Sequence, residues 1–462
     1  MVSARLAYLA PHWFLQAGGP IWRKYLVQER GFLPILHGKC FSISASTWRK
    51  ATSTPSKLPL DGLKILDLSR VLAGPFCTQL LADYGADVLK IEQPGQGDET
   101  RQWRTSGEGV FWKPEYPLMS LYYASINRNK RSCTINLKSK KGVEIVKQMI
   151  KESDVVVENF LPGKIDELGL GWDVVKELNP KVIMASVSGY GPSGPSRQRA
   201  GYDAIALAEA GLLHITGQPG GPPTKPGIAI GDLCTGLYMH GAVLAALEAR
   251  RSTGVGCKLD ASLFESSLSL LINVGLASLN LGKKGGRLGL GHPNLVPYGG
   301  YTTKDGRYMF IAANNNRQFT AFCQKIGRPE FSSDKRFDTN DGRVENRVEL
   351  VRLINEHFST KNLRDWLEIF EGSGLPYGAI NDVNEALTHP QAEARAMVEE
   401  IDDFTSAAQG LLKTIAPPVK FSGIEMKARR KPPVLGEHTS EVLGEMGYSE
   451  AALVALRKQG IV

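Results

Sequence analysis

The feature that most constrains this chain is an alternation of short apolar runs with helical patterns, beginning just after Leu60-Asp61-Gly62. The run Lys64-Ile65-Leu66-Asp67-Leu68 has the length and composition of a buried strand. After the loop Ser69 to Pro75, a helical pattern sets Phe76, Leu80, Leu81 and Tyr84 on one face; Gly85 ends it, and Asp87 to Glu92 is the next strand. A second unit follows, with strand Ser132 to Leu137, helix Gly142 to Glu152 and strand Asp154 to Asn159, and Val182 to Val187 adds another strand. Helical crossovers join parallel strands and cover both faces of their sheet. The expected fold class is therefore α/β: a large Rossmann-like domain with a mostly parallel sheet, which binds ligands beyond the carboxyl ends of its strands.

The pattern changes near Gly299. Tyr301 to Thr303 and Arg307 to Ile311 flank Lys304-Asp305-Gly306, the signature of a hairpin, and helical patterns follow at Arg347 to Phe358 and Leu363 to Phe370. This predicts a smaller α+β domain over residues 299–375. The large domain then takes residues 60–264 and a return segment within 376–462, which ends in a helix from Glu441 to Leu456. Residues 265–298 are expected to be a linker with a glycine-rich loop.

The formal charge of +8 sits almost entirely at the start of the chain. Residues 1–60 carry Arg5, Arg23, Lys24, Arg30, Lys39, Arg49, Lys50 and Lys57 against Glu29, and they grow rich in serine and threonine toward their end. That is the composition of a mitochondrial presequence, so residues 1–59 are set aside from the fold, the mature protein is expected in the matrix, and a nucleic-acid partner is not expected. The six cysteines include no CxxC pair, which argues against a disulfide framework and a zinc ribbon. No run of 18 uncharged apolar residues occurs, so no membrane span is expected. The dinucleotide GxGxxG after a strand, the P-loop, the GxSxG elbow and HExxH are all missing, which lowers hydride transfer, ATP hydrolysis and serine hydrolysis.

The segment richest in chemistry is Gly227 to Gly236, read as an apolar strand ending in Gly231-Asp232 before a long helix through Ala249. Asp232 falls at the N-cap of that helix. An aspartate there caps the helix, and the helix dipole keeps it ionised, which a nucleophilic carboxylate also requires.

Seven segments in register, Asp67 to Pro75, Gly85 to Glu92, Asn127 to Ser132, Glu158 to Gly163, Ala200 to Asp203, Gly231-Asp232 and Pro433 to His438, resemble the family III CoA-transferases (CaiB/BaiF-like). That family includes formyl-CoA and carnitine CoA-transferases and, on the same fold, α-methylacyl-CoA racemase. The resemblance implies an enzyme that moves CoA from succinyl-CoA to a free dicarboxylic acid such as glutarate, with Asp232 as nucleophile through an aspartyl anhydride and an aspartyl-CoA thioester. It places Val71, Leu72, Ile135, Lys138, Asn159, Phe160, Lys164 and Leu168 around CoA. Tyr202, Asp203, Arg101, Gly289 and Gly291 fall around the acyl group. The CoA thioester is a co-substrate, with no tightly bound cofactor and no metal, and the assembly is an interlocked-ring homodimer. Gln93 and Glu167 depart from the pattern, standing where some members have phosphate-binding arginines. Arg101, Arg104, Arg128 and Arg199 are candidates to hold the far carboxylate of the acid. Two alternatives stay open. A 2-methylacyl-CoA racemase is disfavoured because Tyr202 stands where that branch has a histidine, and a tyrosine of ordinary pKa is a poor base at neutral pH; a non-catalytic CoA-binding protein would keep the fold without needing Asp232.

Overall fold

The computed structural model describes residues 57–462. Of the proposed presequence, residues 1–56 lie outside the described part. Six strands form one sheet: β1 Lys64–Asp67, β2 Asp87–Glu92, β3 Lys130–Thr134, β4 Val155–Glu158, β5 Ile183–Ser188 and β6 Lys258–Ser262. Every neighbouring pair is parallel, in the order β3-β2-β1-β4-β5-β6. Successive strand residues point to opposite faces, so Ile65 joins Val88, Val155 and Val243 in one core while Leu66 joins Leu89, Val146 and Met184 in the other. The expected parallel α/β sheet is present, and β4, buried at all four positions, shows why its sequence is an unbroken apolar run.

The strand order reverses direction at β1, whose neighbours are β2 and β4. The chain leaves the carboxyl ends of β1 and β4 toward opposite sides, and a crevice opens there, the usual ligand position in such sheets. On the face behind it lie the helix Ala73–Asp83 and the long helix Ile230–Thr253. They approach closely at Gly236, where an added Cβ would stand 2.8 Å from the Ala73 carbonyl oxygen. Any side chain at this position would push the helices apart.

Farther along, β7 Tyr298–Thr302 and β8 Tyr308–Ala312 form the expected antiparallel hairpin around Asp305-Gly306, and β9 Tyr377–Ala379 adds to β8. Helices Asn316–Lys325, Arg347–Phe358 and Leu363–Phe370 cover this sheet with an aromatic core of Phe322, Phe358, Trp366 and Phe370. A further hairpin, β10 Val398–Ile401 with β11 Leu412–Ile415, precedes the C-terminal helices. Those helices bring Val442, Leu443, Leu453 and Leu456 into the same core as Leu66 and Val146.

Four local expectations differ from the structure. Residues 227–229 form no strand, because the segment meets no sheet edge; it is the exposed approach to the long helix, with Ile228 58% exposed. The terminal helix is two, Thr439–Glu445 and Glu450–Lys458, broken at Gly447 with φ +90°. The stretch 265–298 is partly helical, with Leu263–Ser269 and Ile272–Leu281 meeting at 79°. Finally, β6 was not anticipated. Among the described residues the single helix long and apolar enough to cross a membrane is Ile230–Thr253; Met239, Val243 and Ala246 pack its inner face onto the sheet.

Candidate active site

Under the loop that follows β1 lies a floor of buried charges from β1, β2, β3 and the segment after β2. Asp67 accepts hydrogen bonds from Thr78 Oγ1 (2.6 Å), from the Ser69 hydroxyl and from Lys130 Nζ (3.1 Å). Lys90 Nζ pairs with Asp98 at 2.9 Å and donates to the Ser69 carbonyl at 2.7 Å. Glu92 accepts both a 2.7 Å bond from Arg101 Nε and a 2.7 Å bond from Arg101 Nη2. Three cations face three carboxylates, so each buried charge has a partner. Burial by itself raises the Asp67 carboxyl, but Lys130 and Lys90 overcome it and hold the group at about 2. Burial likewise opposes Glu92, which Arg101 holds at about 2. Burial pushes the Lys130 ammonium down to about 8, against the pull of Asp67.

This floor shapes the loop above it. Val71 has φ +68°, a backbone conformation that a β-branched residue rarely adopts. Its N–H donates to both Asp98 oxygens, at 3.1 and 3.2 Å, which offsets the strain. Asn159, at the end of β4, braces the same loop: its Oδ1 accepts from Arg70 N at 2.9 Å and its Nδ2 donates to Arg70 O at 2.6 Å. Between them opens a cavity of about 180 Å³ lined by Val71, Leu72, Asn159, Phe160, Arg199, Tyr202 and Asp232, among others. The structure thus gathers Asp232 with one of the expected acyl-group residues and four of the CoA residues in one space.

Asp232 is not the N-cap of the long helix. That position is Ala229, which offers no side chain to cap with, and Asp232 stands in the first turn. The cap comes from a different part of the chain: Asp203 Oδ1 accepts from Gly231 N at 2.8 Å and from Asp232 N at 3.2 Å. Asp203 is itself buried, and Asp232 stands half-buried beside it on the cavity wall. Burial, and then the charge of Asp203, raise the Asp232 carboxyl to about 7. The expectation that the helix end keeps Asp232 firmly ionised is therefore corrected: the group titrates near neutrality. Tyr122, which the sequence reading did not single out, lies near enough for the Asp232 charge to add to burial in raising its phenol.

Other expected residues fall elsewhere. Arg101 is fully buried; beyond Glu92 its donors go to Tyr123 Oη (2.6 Å), to the carbonyls of Leu118 and Pro433, and to Met119 Sδ, so it has none left for a substrate. Arg128 is spent on Asp83 and the Ile415 carbonyl, and Arg104 on the carbonyls of Tyr116, Pro117 and Met119. Lys164 pairs with Glu167 at 2.7 Å on an exposed turn, so the departure at Glu167 neutralises the lysine expected to compensate for it. Lys138 is exposed after β3 and does not line the cavity. Ile135 and Phe160 share one core, with Leu168 at the end of the nearby short helix, and none of Ile135, Leu168, Gly289 or Gly291 lines the cavity. Gly289 N instead donates to Gly217 O at 2.9 Å. Two cations do line it. Arg199 pairs with Glu209 at 2.6 Å, and Arg70, another residue the sequence reading passed over, pairs with Glu99. Only its place directly after the β1 carboxyl end could have signalled Arg70.

Comparison with known proteins assigns the chain's family. The model of the family described as "CoA-transferase family III" matches residues 60–439. An acyl-CoA transferase of Fusarium pseudograminearum is 49% identical over 89% of this chain and 90% of its own length. Succinyl-CoA:glutarate CoA-transferase of Homo sapiens is 42% identical over 87% of this chain and 90% of its own. The crystal structure of a CAIB/BAIF family protein from Brucella suis superposes with a TM-score of 0.73 at 37% identity, covering 85% of this chain and all of that one.

Proposed function

The chain belongs to CoA-transferase family III, and from that premise we propose that it moves CoA from succinyl-CoA to a dicarboxylic acid such as glutarate, with Asp232 as nucleophile. The observation that carries the proposal is a half-buried carboxylate, raised to about 7 by desolvation and by the Asp203 charge, on the wall of the crevice where β1 and β4 diverge. A carboxylate of raised pKa is a stronger nucleophile than an ordinary one, and the ionised form of Asp232 is the one that attacks in this reading.

The chemistry balances as four exchanges. An Asp232 oxygen bonds to the succinyl carbonyl as the C–S bond breaks, giving a mixed anhydride and the CoA thiolate. The thiolate attacks the aspartyl carbonyl, succinate leaves, and an aspartyl-CoA thioester remains. The acceptor carboxylate attacks that thioester and expels the thiolate again, forming a second anhydride. The thiolate then attacks its acyl carbon, releasing glutaryl-CoA and restoring Asp232. Thioester energy is kept throughout, whereas a serine would drain it into an ester. Glutarate as the acceptor rests on what the human relative is named for.

Val71, Leu72, Asn159 and Phe160 are the CoA-facing wall in this reading, and Phe160 offers an aromatic face for the adenine. The homodimer is supported by an apolar stripe: Ile272 (69% exposed), Leu276 (62%) and Leu279 (85%) lie along one face of the same short helix. Residues 1–59 supply a matrix address by their composition. The direct test is to incubate the purified enzyme with succinyl-CoA and glutarate and to measure glutaryl-CoA and succinate. Equal amounts of both are expected. Deuterium entering the α-position of a 2-methylacyl-CoA without any acceptor acid would instead favour the racemase.

A further inference from the structure

The sequence leaves four arginines equal as partners for the far carboxylate of a dicarboxylic acid; the structure separates them. Arg101 and Arg128 are buried and fully paired, and Arg104 is held by backbone carbonyls. Arg199 alone of the four lines the Asp232 cavity. It lies four residues before Asp203, whose carboxylate holds the Asp232 amide, so the chain itself ties Arg199 to the acyl side of the cavity. Arg70, the other cation on the cavity wall, belongs to the opposite side: its main chain is bonded to the Asn159 amide beside Phe160, and its guanidinium pairs with Glu99.

The surroundings of Arg199 suit an exchangeable anion site. Its guanidinium lies 5.0 Å from the centre of the Tyr190 ring, which supports it from one side. Its present partner, Glu209, is a surface carboxylate, and the two side chains are 52% and 38% exposed. Exposed ion pairs contribute little to stability, so an incoming carboxylate can take the place of Glu209 at small cost. A guanidinium also matches a carboxylate with two parallel N–H donors, where a lysine presents only a point charge.

We propose that Arg199 is the specificity-determining residue for dicarboxylic acids, leaving Glu209 to bind the carboxylate of the acyl group farthest from the reacting carbon. The inference rests on the transferase reading above and assigns that reading a residue. The test compares the parent, Arg199→Gln and Arg199→Lys with glutarate and with pentanoate as acceptors, alongside calorimetric binding of free CoA. In Arg199→Gln, kcat/KM for glutarate should fall roughly 10–100-fold, the loss of one charge-assisted bidentate contact, while kcat/KM for pentanoate and the affinity for free CoA stay within about 3-fold. Arg199→Lys should recover part of the glutarate loss. Glu209→Gln, which frees the guanidinium, should lower KM for glutarate and leave pentanoate unchanged. If glutarate and pentanoate fall together, or if the loss appears in CoA affinity, the assignment is overturned and Arg199 belongs to the nucleotide. A parent enzyme that transfers CoA to neither acid overturns the transferase reading and this inference with it.

Discussion

Asp67, fully buried, and Asp232, half-buried on the cavity wall, are aspartates of one domain whose surroundings set them in opposite ways. Asp67, at the end of β1, faces Lys130 and Lys90 and accepts from two hydroxyls; its carboxyl sits at about 2. Asp232 is raised by desolvation and by a second carboxylate, Asp203; its carboxyl sits at about 7. The first arrangement is neutral overall and over-determined, which holds a loop in an otherwise unfavourable shape. The second is unbalanced, and it costs stability while leaving the carboxylate the proposed mechanism uses with a raised pKa. A buried acid near this crevice is therefore assigned by its partners rather than by its depth.

The largest expected break in this comparison is Asp232→Asn. The amide cannot form an anhydride, so transfer should drop by on the order of 10⁴-fold or more in the succinyl-CoA and glutarate assay, as for other lost nucleophiles. The fold should persist, because Asp203 supplies the cap. Removing a half-buried carboxylate that faces a like charge should even raise the melting temperature at pH 8, by about 1 °C for each kcal/mol relieved. A lowered melting temperature in calorimetry would contradict this contrast with Asp67.

On the other side of the comparison, Lys130→Met should cost about 3–5 kcal/mol in denaturant unfolding, because it strands the Asp67 charge in the core. The effect should shrink at low pH, where Asp67 takes up a proton.

The pH dependence separates the two regions further. Asp67 and Glu92 have depressed values, so the stability they contribute is complete above the ordinary carboxylate range and lost as pH falls toward 2. Asp232 has a raised value, so its ionisation opposes folding as pH rises through about 7, while activity needs that ionised form. Between pH 7 and 5, kcat/KM should fall about tenfold per unit while the melting temperature holds or rises.

The smallest expected effect is a shift. Asp203→Asn removes the neighbouring charge but keeps a good capping group, so stability should change by well under about 1 kcal/mol. The acid limb of the kcat/KM profile should move below 7 and stay above the value of a free aspartate, since burial remains. An unmoved limb would show that burial alone sets Asp232.

Much of the scaffold was legible because its signals are local. The strand Asp87–Glu92 and the helices Arg347–Phe358 and Leu363–Phe370 begin and end where apolar period and stop signals put them. The sixth strand was not legible: Lys258 and Asp260 are exposed on an edge, so its pattern lacks the apolar run of a covered strand. Within the site, Asp232 stood out through the glycine before it and the long helix after it. Its true cap did not, because Asp203 is distant in sequence and reaches it only through the fold. The arginines taught the same lesson. Nothing local distinguishes Arg101, sealed against Glu92, from Arg199, open to the crevice; only the packing of Tyr123 and the chain near Pro433 over Arg101 does.

The central claim is that Asp232 carries the acyl group and then CoA. The most direct measurement is to incubate the enzyme with succinyl-CoA and no acceptor, trap with hydroxylamine, and map the modified peptide by mass spectrometry. The account predicts a hydroxamate on Asp232 that requires succinyl-CoA and is absent from Asp232→Asn. A transferring enzyme whose hydroxamate lies on Asp203 or on any residue other than Asp232 would contradict it.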